Sequence, residues 1–239
     1  MLADFSASMT QSGTLGRDVQ LPATSRYELL AFIAHELPRW RDRPDRRAET
    51  TETVLTSQLC AHLNSAARHS DGWDMLQFRI EEPDEQHRGR KIDLVPAPCG
   101  ATVWIEGRRH TDFDSLMPIE CKRLPTPADN KRDEREYVFS KYSSTGGIQR
   151  LKAGHHGGKH LLGAMIAYVQ RETPAIWHDR VSGWIIGLAD ATQAGWTADD
   201  LLHLEPDVHL AGVTVYRSCH TREGGLPNIE LRHLWVTMN

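Results

Sequence analysis

The sequence predicts an α/β fold, a mixed central sheet flanked by helices and closed by a C-terminal β-hairpin. Three observations carry this. Leu55, Leu59 and Leu63 recur every fourth residue, which lines one face of a helix. Residues 91–95 and 116–122 are short apolar runs with isolated charges set among them, the pattern of strands. Residues 213–218 and 229–236 are two further strand-like runs joined through Gly224-Gly225. With 239 residues the chain suffices for one well-buried domain and is short for two. Interleaved helices and strands then give one α/β domain over residues 25–239.

Taken in order, residues 1–24 are rich in Ser, Thr and Gly without a clear period and read as a flexible N-terminal arm. They lack the basic start and apolar centre of a signal peptide. Ser25 is a plausible N-cap with Glu28 three residues on, and Leu29, Leu30, Phe32 and Ile33 supply an apolar face. This helix is expected to end before Pro38, with an arginine-rich link to about Arg47. The leucine-striped helix occupies residues 49–67. Glu52 falls close to its inward stripe, which marks either a functional acid or one favoured by the helix macrodipole near the start.

Strands are expected at residues 75–80, 91–95, 102–106 and 116–122, and Pro118 confines the well-paired part of the last to Ile119 onward. The charged stretch 81–90 reads as an exposed loop, Asp112 and Asp114 as turn residues, and 124–135 as an exposed excursion. Ser144 or Thr145 caps a helix through Lys152 that Gly157-Gly158 stops. A strand follows at 161–169. Thr173-Pro174 opens a helix carrying Ile176, Val181, Trp184, Ile185 and Leu188, and a short helix spans 198–204.

Composition narrows the function classes. Hydrophobic content of 39% and charged content of 25% are those of an ordinary globular protein. No apolar run approaches the roughly 20 residues that span a bilayer, so no membrane association is expected. The four cysteines are scattered without a Cys-x-x-Cys pair, which argues against a zinc knuckle or disulfide framework and for a cytoplasmic setting. A net charge of −4 argues against a passive nucleic-acid coat. Positive charge nonetheless gathers at Arg88, Arg90 and Lys91, at Lys122 and Arg123, at Lys131 and Arg132, and at Lys141, Arg150 and Lys152. Each cluster alone reads as a solvated face, but together they surround the acidic strands.

The chemistry concentrates in Glu120-Cys121-Lys122. Alternation along a strand puts Glu120 and Lys122 on one face and Ile119 and Cys121 on the other. Asp93, between Ile92 and Leu94, points away from the face those two bury. If the strands are neighbours, Asp93, Glu120 and Lys122 converge, and such a group can hold a divalent cation and activate water. The plainer alternative is a surface salt bridge from Lys122 to Glu120 or Asp93. His155, His156 and His160 offer a competing metal site, but their Gly-rich setting favours an exposed helix end. Trp177-His178 and Cys219-His220 read as packing or surface residues. No Gly-x-Ser-x-Gly elbow or phosphate loop is present.

An acid on one strand followed by acid-x-lysine on a later one resembles the PD-(D/E)XK nuclease superfamily, over roughly residues 49–170. Ile92 stands where the family name has proline. The resemblance implies a restriction-endonuclease-like core and a nuclease, endo- or exo-acting, that hydrolyses phosphodiester bonds in DNA during defence or repair. Asp93, Glu120 and Glu52 would hold Mg²⁺, with Mn²⁺ able to substitute. Lys122 would orient the attacking water, and Gln149 and Arg150 would contact substrate. A partner protein could supply targeting, and a homo-oligomer is compatible with the sequence. The rival readings are a catalytically inactive nucleic-acid- or protein-binding module of the same fold, and a structural subunit using Trp184, Trp196 and Trp235 at an interface.

Overall fold

The computed structural model describes residues 17–84, 89–128, 132–142, 146–191 and 195–238. The elements are β1 (Arg17–Leu21), α1 (Ser25–Arg41), α2 (Glu52–Arg68), β2 (Leu76–Pro83), β3 (Lys91–Pro98), β4 (Ala101–Ile105), β5 (Arg108–His110) and β6 (Ile119–Leu124). They continue with α3 (Gly147–Lys152), β7 (Leu162–Val169), α4 (Pro174–Asp190), β8 (His203–Leu204), β9 (Val213–His220) and β10 (Ile229–Thr237). The fold is mixed α/β, but the described strands form two sheets where one was expected. The larger has the order β2-β3-β6-β7-β10-β9-β8, and the smaller is β1-β4-β5.

The larger sheet changes sense across its width. β2, β3 and β6 run antiparallel to their neighbours, β6, β7 and β10 are parallel, and β10, β9 and β8 are antiparallel again. The β9–β10 pair is the expected C-terminal hairpin. On one face Ile119, Cys121, Ile166 and Tyr168 pack with Leu29 and Ile33 of α1 and with Leu55, Leu59 and Leu63 of α2. On the other, Leu124, Met165, Ala167 and Val169 pack with Ile148 and Leu151 of α3 and Val181 and Ile185 of α4. β7 is buried on both sides, which is why its sequence, LGAMIAYV, is continuously apolar.

Several expectations need correction. Residues 17–21 belong to a strand, parallel to β4, so the arm is shorter than residues 1–24; residues 1–16 lie outside the described residues. A five-residue edge strand buries too little to show a period. α1 continues through Pro38 to Arg41, because burial of Leu37 and Trp40 in the last turn offsets the roughly 3 kcal/mol cost of an interior proline. The strand expected at 102–106 sits in the smaller sheet. The helix expected at 198–204 is a single 3-10 turn, Ala198–Asp200, followed by β8. Ser144 and Thr145 lie outside the described residues, and α3 has Gly146 at its N-cap. The excursion at 124–135 is not wholly exposed, since Asp133 is buried against Arg135 and the Lys141 backbone. Nor is 81–90, where Asp84 is buried. Among the described residues no helix is long and apolar enough to cross a membrane.

A chain of buried polar groups ties the hairpin to the α3 side. Trp235 Nε1–H donates to Tyr137 Oη at 2.7 Å, and that hydroxyl meets His233 Nδ1 at 2.7 Å. His233 Nε2 and His220 Nε2 both meet Ser218 Oγ at 2.7 Å, and His220 Nδ1 meets Asp200 Oδ1 at 2.6 Å. The indole can only donate and the carboxylate only accept. If each hydroxyl uses its proton, the chain runs one way, with both imidazoles neutral. Burial accordingly lowers the pKa of His233 well below normal, helped by His220 and Arg232, and lowers that of His220 against the opposing Asp200. Lys152 Nζ, 2.7 Å from Asp200 Oδ1, balances the terminal charge. Trp235 in this chain is buried, as is Trp196, so neither is available as an interface tryptophan of the structural-subunit reading.

Tyr137→Phe removes one link and leaves two buried groups, on Trp235 and His233, without their partner. It is expected to destabilise the protein by about 1–3 kcal/mol, read as a lower urea midpoint at unchanged m-value.

Candidate active site

β6 is paired with β7 over its full length but meets β3 at one register position, Leu94 opposite Ile119. Beyond it β3 and β6 part. Backbone N–H groups two residues apart point to the same strand edge. On this edge the donors are taken by carboxylates: Cys121 N–H donates to Asp93 Oδ2 at 2.8 Å, and Arg123 N–H to Glu52 Oε2 at 3.2 Å. Glu52 is the first residue of α2 and sits at the start of the leucine stripe, on the face that α2 turns toward β6, so it reaches into the parted strands from the helix start.

Lys122 occupies the centre. Its Nζ lies 3.1 Å from Glu52 Oε1, 3.2 Å from Asp93 Oδ2 and 3.8 Å from Glu120 Oε2, and donates to Cys121 O at 2.8 Å. Glu120 is fully buried and Lys122 nearly so, whereas Glu52 and Asp93 remain about one quarter exposed. The site is therefore open to solvent on the Glu52–Asp93 side. Burial disfavours the Lys122 ammonium, but Asp93, Glu52 and Glu120 outweigh it and raise the pKa. Burial also pushes Asp93 up, yet Lys122, the Cys121 N–H and Arg150 bring it below the usual carboxylate range. Glu120 goes the other way. Burial and the neighbouring Asp93 charge raise its pKa, against the pull of His156 and Lys122.

Two further side chains close on Glu120. Arg150 on α3 lies with Nη1 3.4 Å from Oε2, and His156 Nδ1 is hydrogen-bonded to Oε1. His156 and His160 are buried, which corrects the exposed helix end expected for them. Gly157 explains the difference. Its φ is +61°, and an added Cβ would come 2.4 Å from Pro118 Cγ, so glycine lets this segment lie directly on the start of β6. The Gly157 N–H donates to buried Asp84 at 3.1 Å, fixing the turn. The paired glycines after the histidines were the available sequence signal, and they mark close approach rather than exposure. Gln149 is placed differently from Arg150. Its Oε1 accepts from Ser140 N–H at 3.1 Å and Gly146 N–H at 3.3 Å, so it caps α3.

No family model matches the sequence, and neither a curated protein nor a solved structure matches it.

Two other constellations invite comparison. Ser218, His220 and Asp200 stand in hydrogen-bond sequence but are at most 1% exposed, and Ser218 is bonded to a histidine on each side, so they act in packing. His178 stacks on Tyr216 at 4.9 Å and bonds Leu202 O, as the packing reading expected.

The three carboxylates offer hard oxygen donors of the kind Mg²⁺ takes. Among the described residues no three His, Cys, Asp or Glu groups stand ready at metal-binding spacing. The Lys122 ammonium holds the point on which Glu52, Asp93 and Glu120 converge. The donor set thus fits a divalent cation in kind, and it is arranged around a cation already.

Lys122→Met leaves the carboxylates facing one another without their counter-charge. A loss of about 3–5 kcal/mol is expected at pH 7. Without Lys122, Asp93 and Glu120 bind protons more readily folded than unfolded, so the variant's stability falls as pH rises through that window and recovers as pH falls. Urea titrations of both proteins from pH 8 to 5 test this: the gap should narrow on acidification, and a constant gap would contradict the electrostatic account.

Proposed function

We propose that the protein is a Mg²⁺-dependent nuclease that hydrolyses phosphodiester bonds in DNA. The observation that carries this reading is the convergence of Glu52, Asp93 and Glu120 on Lys122 at an open cleft between parted strands. The topology supports it. α2 is followed by the antiparallel set β2-β3-β6, with β4 and β5 of the smaller sheet inserted between β3 and β6, then by α3 and by β7 parallel to β6, an order similar to a restriction-endonuclease-like core apart from the insertion.

Asp93 and Glu120, with Glu52, would hold Mg²⁺, which when bound polarises a phosphoryl oxygen and lowers the pKa of a coordinated water. The protein's own groups have separable roles. Lys122 aligns the attacking water and steadies the charge that develops on the phosphate. Arg150, still about one-fifth exposed, reaches a phosphate oxygen while keeping Glu120 in place. His156 fixes the other oxygen of Glu120, so that carboxylate cannot rotate away from the cleft. Burial of Lys122 and Glu120 keeps water from screening the charges at the back of the cleft.

The same closed ion-pair cluster favours a second reading, a DNA-binding module of this fold that does not cut. One experiment separates them. The protein and its Lys122→Ala variant are incubated with plasmid and linear DNA in Mg²⁺, Mn²⁺ or EDTA. The nuclease reading expects cutting in either metal, none in EDTA, and a loss of about 10²-fold or more in the variant. DNA binding without cutting in every condition favours the inactive module.

A further inference from the structure

Three residues past Lys122, β6 gives way to a groove of about 740 Å³. Pro125 and Pro127, Trp177, Arg180 and Trp184 of α4, and the charged pair of Arg132 and Glu134 line it. Trp184 is only partly buried, and its ring centroid lies 6.3 Å from that of buried Trp177. Trp177 is fixed from below, its Nε1–H donating to Arg171 O at 2.7 Å, and from above by the Arg180 guanidinium 4.8 Å over its ring. Arg180 is itself held by Glu172 through contacts of 2.5 and 2.7 Å. Trp177 is thus set before any ligand arrives, and Trp184 beside it is the partly exposed ring lining the groove.

The side nearest the cleft is basic. Arg123, whose backbone is tied to Glu52, has a buried Nε without a hydrogen-bond partner among the described residues. Burial acts first against its charge and Glu52 opposes that most strongly; Arg132 and Arg171 then crowd it, with Glu49 opposing. Arg132 is also paired with Glu136, and the positive charge that remains on this side suits an anion. Proline walls and a rigid indole add a platform for a flat ring, and such stacking accepts any base.

We propose that this groove receives an unpaired stretch of the substrate strand, a base stacking on Trp184 while Arg123, Arg132 and Arg171 hold its phosphates. The inference rests on the nuclease reading for its direction: a strand passing Lys122 runs along β6 into the groove. The substrate class is then DNA with a single-stranded segment beside the cut, such as a flap or a frayed end, rather than a continuous duplex.

The test is binding in EDTA, where cutting cannot interfere. A fluorescein-labelled oligothymidylate and a blunt duplex of equal length are titrated with the wild type and with Trp184→Ala, Trp184→Phe and Arg180→Ala, after thermal melts establish that each variant is folded. The expected result is tighter binding of the single strand than of the duplex. Trp184→Ala should lose about tenfold or more on the single strand alone, and Trp184→Phe should recover most of it. Quenching of wild-type tryptophan emission by the unlabelled single strand is expected as well. Unchanged affinity in Trp184→Ala overturns the proposal, as does an equal loss on both ligands. Weakening by Arg180→Ala alone also overturns it, since attraction would then be electrostatic without stacking. Trp184-dependent binding without metal-dependent cutting would retain the groove and reject the nuclease reading. Cutting that is indifferent to Trp184 would do the reverse.

Discussion

Everything at the cleft depends on one ammonium group compensating three carboxylates where two strands part. β3 and β6 share a single register position, and past it the backbone of β6 has lost its sheet partner on that edge. Asp93 and Glu52 take over the vacant donors, each using one oxygen, and this leaves their other interactions aimed at Lys122. The acids thus serve two purposes that cannot be separated. They finish the hydrogen bonding of a truncated ladder, and they build a negative pocket that only a cation can settle.

The arrangement also divides the carboxylates by environment. Glu120 is sealed on the α3 face and held by His156, Arg150 and Lys122, so its geometry is rigid and its proton affinity is raised by burial and by Asp93. Asp93 and Glu52 face the opening and stay partly solvated. A site with one fixed buried acid and two at the mouth has a closed back and an accessible front. The groove lined by Trp184 begins just beyond that front, at the end of the same strand.

Much of this was legible in the sequence because it rests on local periodicity. The four-residue leucine repeat located α2. The alternation around Cys121 put Glu120 and Lys122 on one face, and Pro118 marked where β6 would begin. What escaped depends on distant partners. His156 reads as a residue at a glycine-rich helix end, and only the contact of Gly157 with Pro118 turns it inward. β1 is five residues long and gains its place from β4, more than 80 positions away. Gln149 sits one residue before Arg150, but the turn of a six-residue helix sends it to the cap and its neighbour to the cleft.

The one-way run of bonds from Trp235 to Asp200 carries a consequence for how this chain can vary. With each hydroxyl using its proton, every interior member gives one proton and receives one, so each depends on the neighbours on both sides. Replacing a histidine by a group that only donates, or a hydroxyl by one that only accepts, would oblige the links on one side to reverse, and the indole at the end cannot. Removing one link strands the groups on either side of it, so a change at one member costs more than that member's own bond.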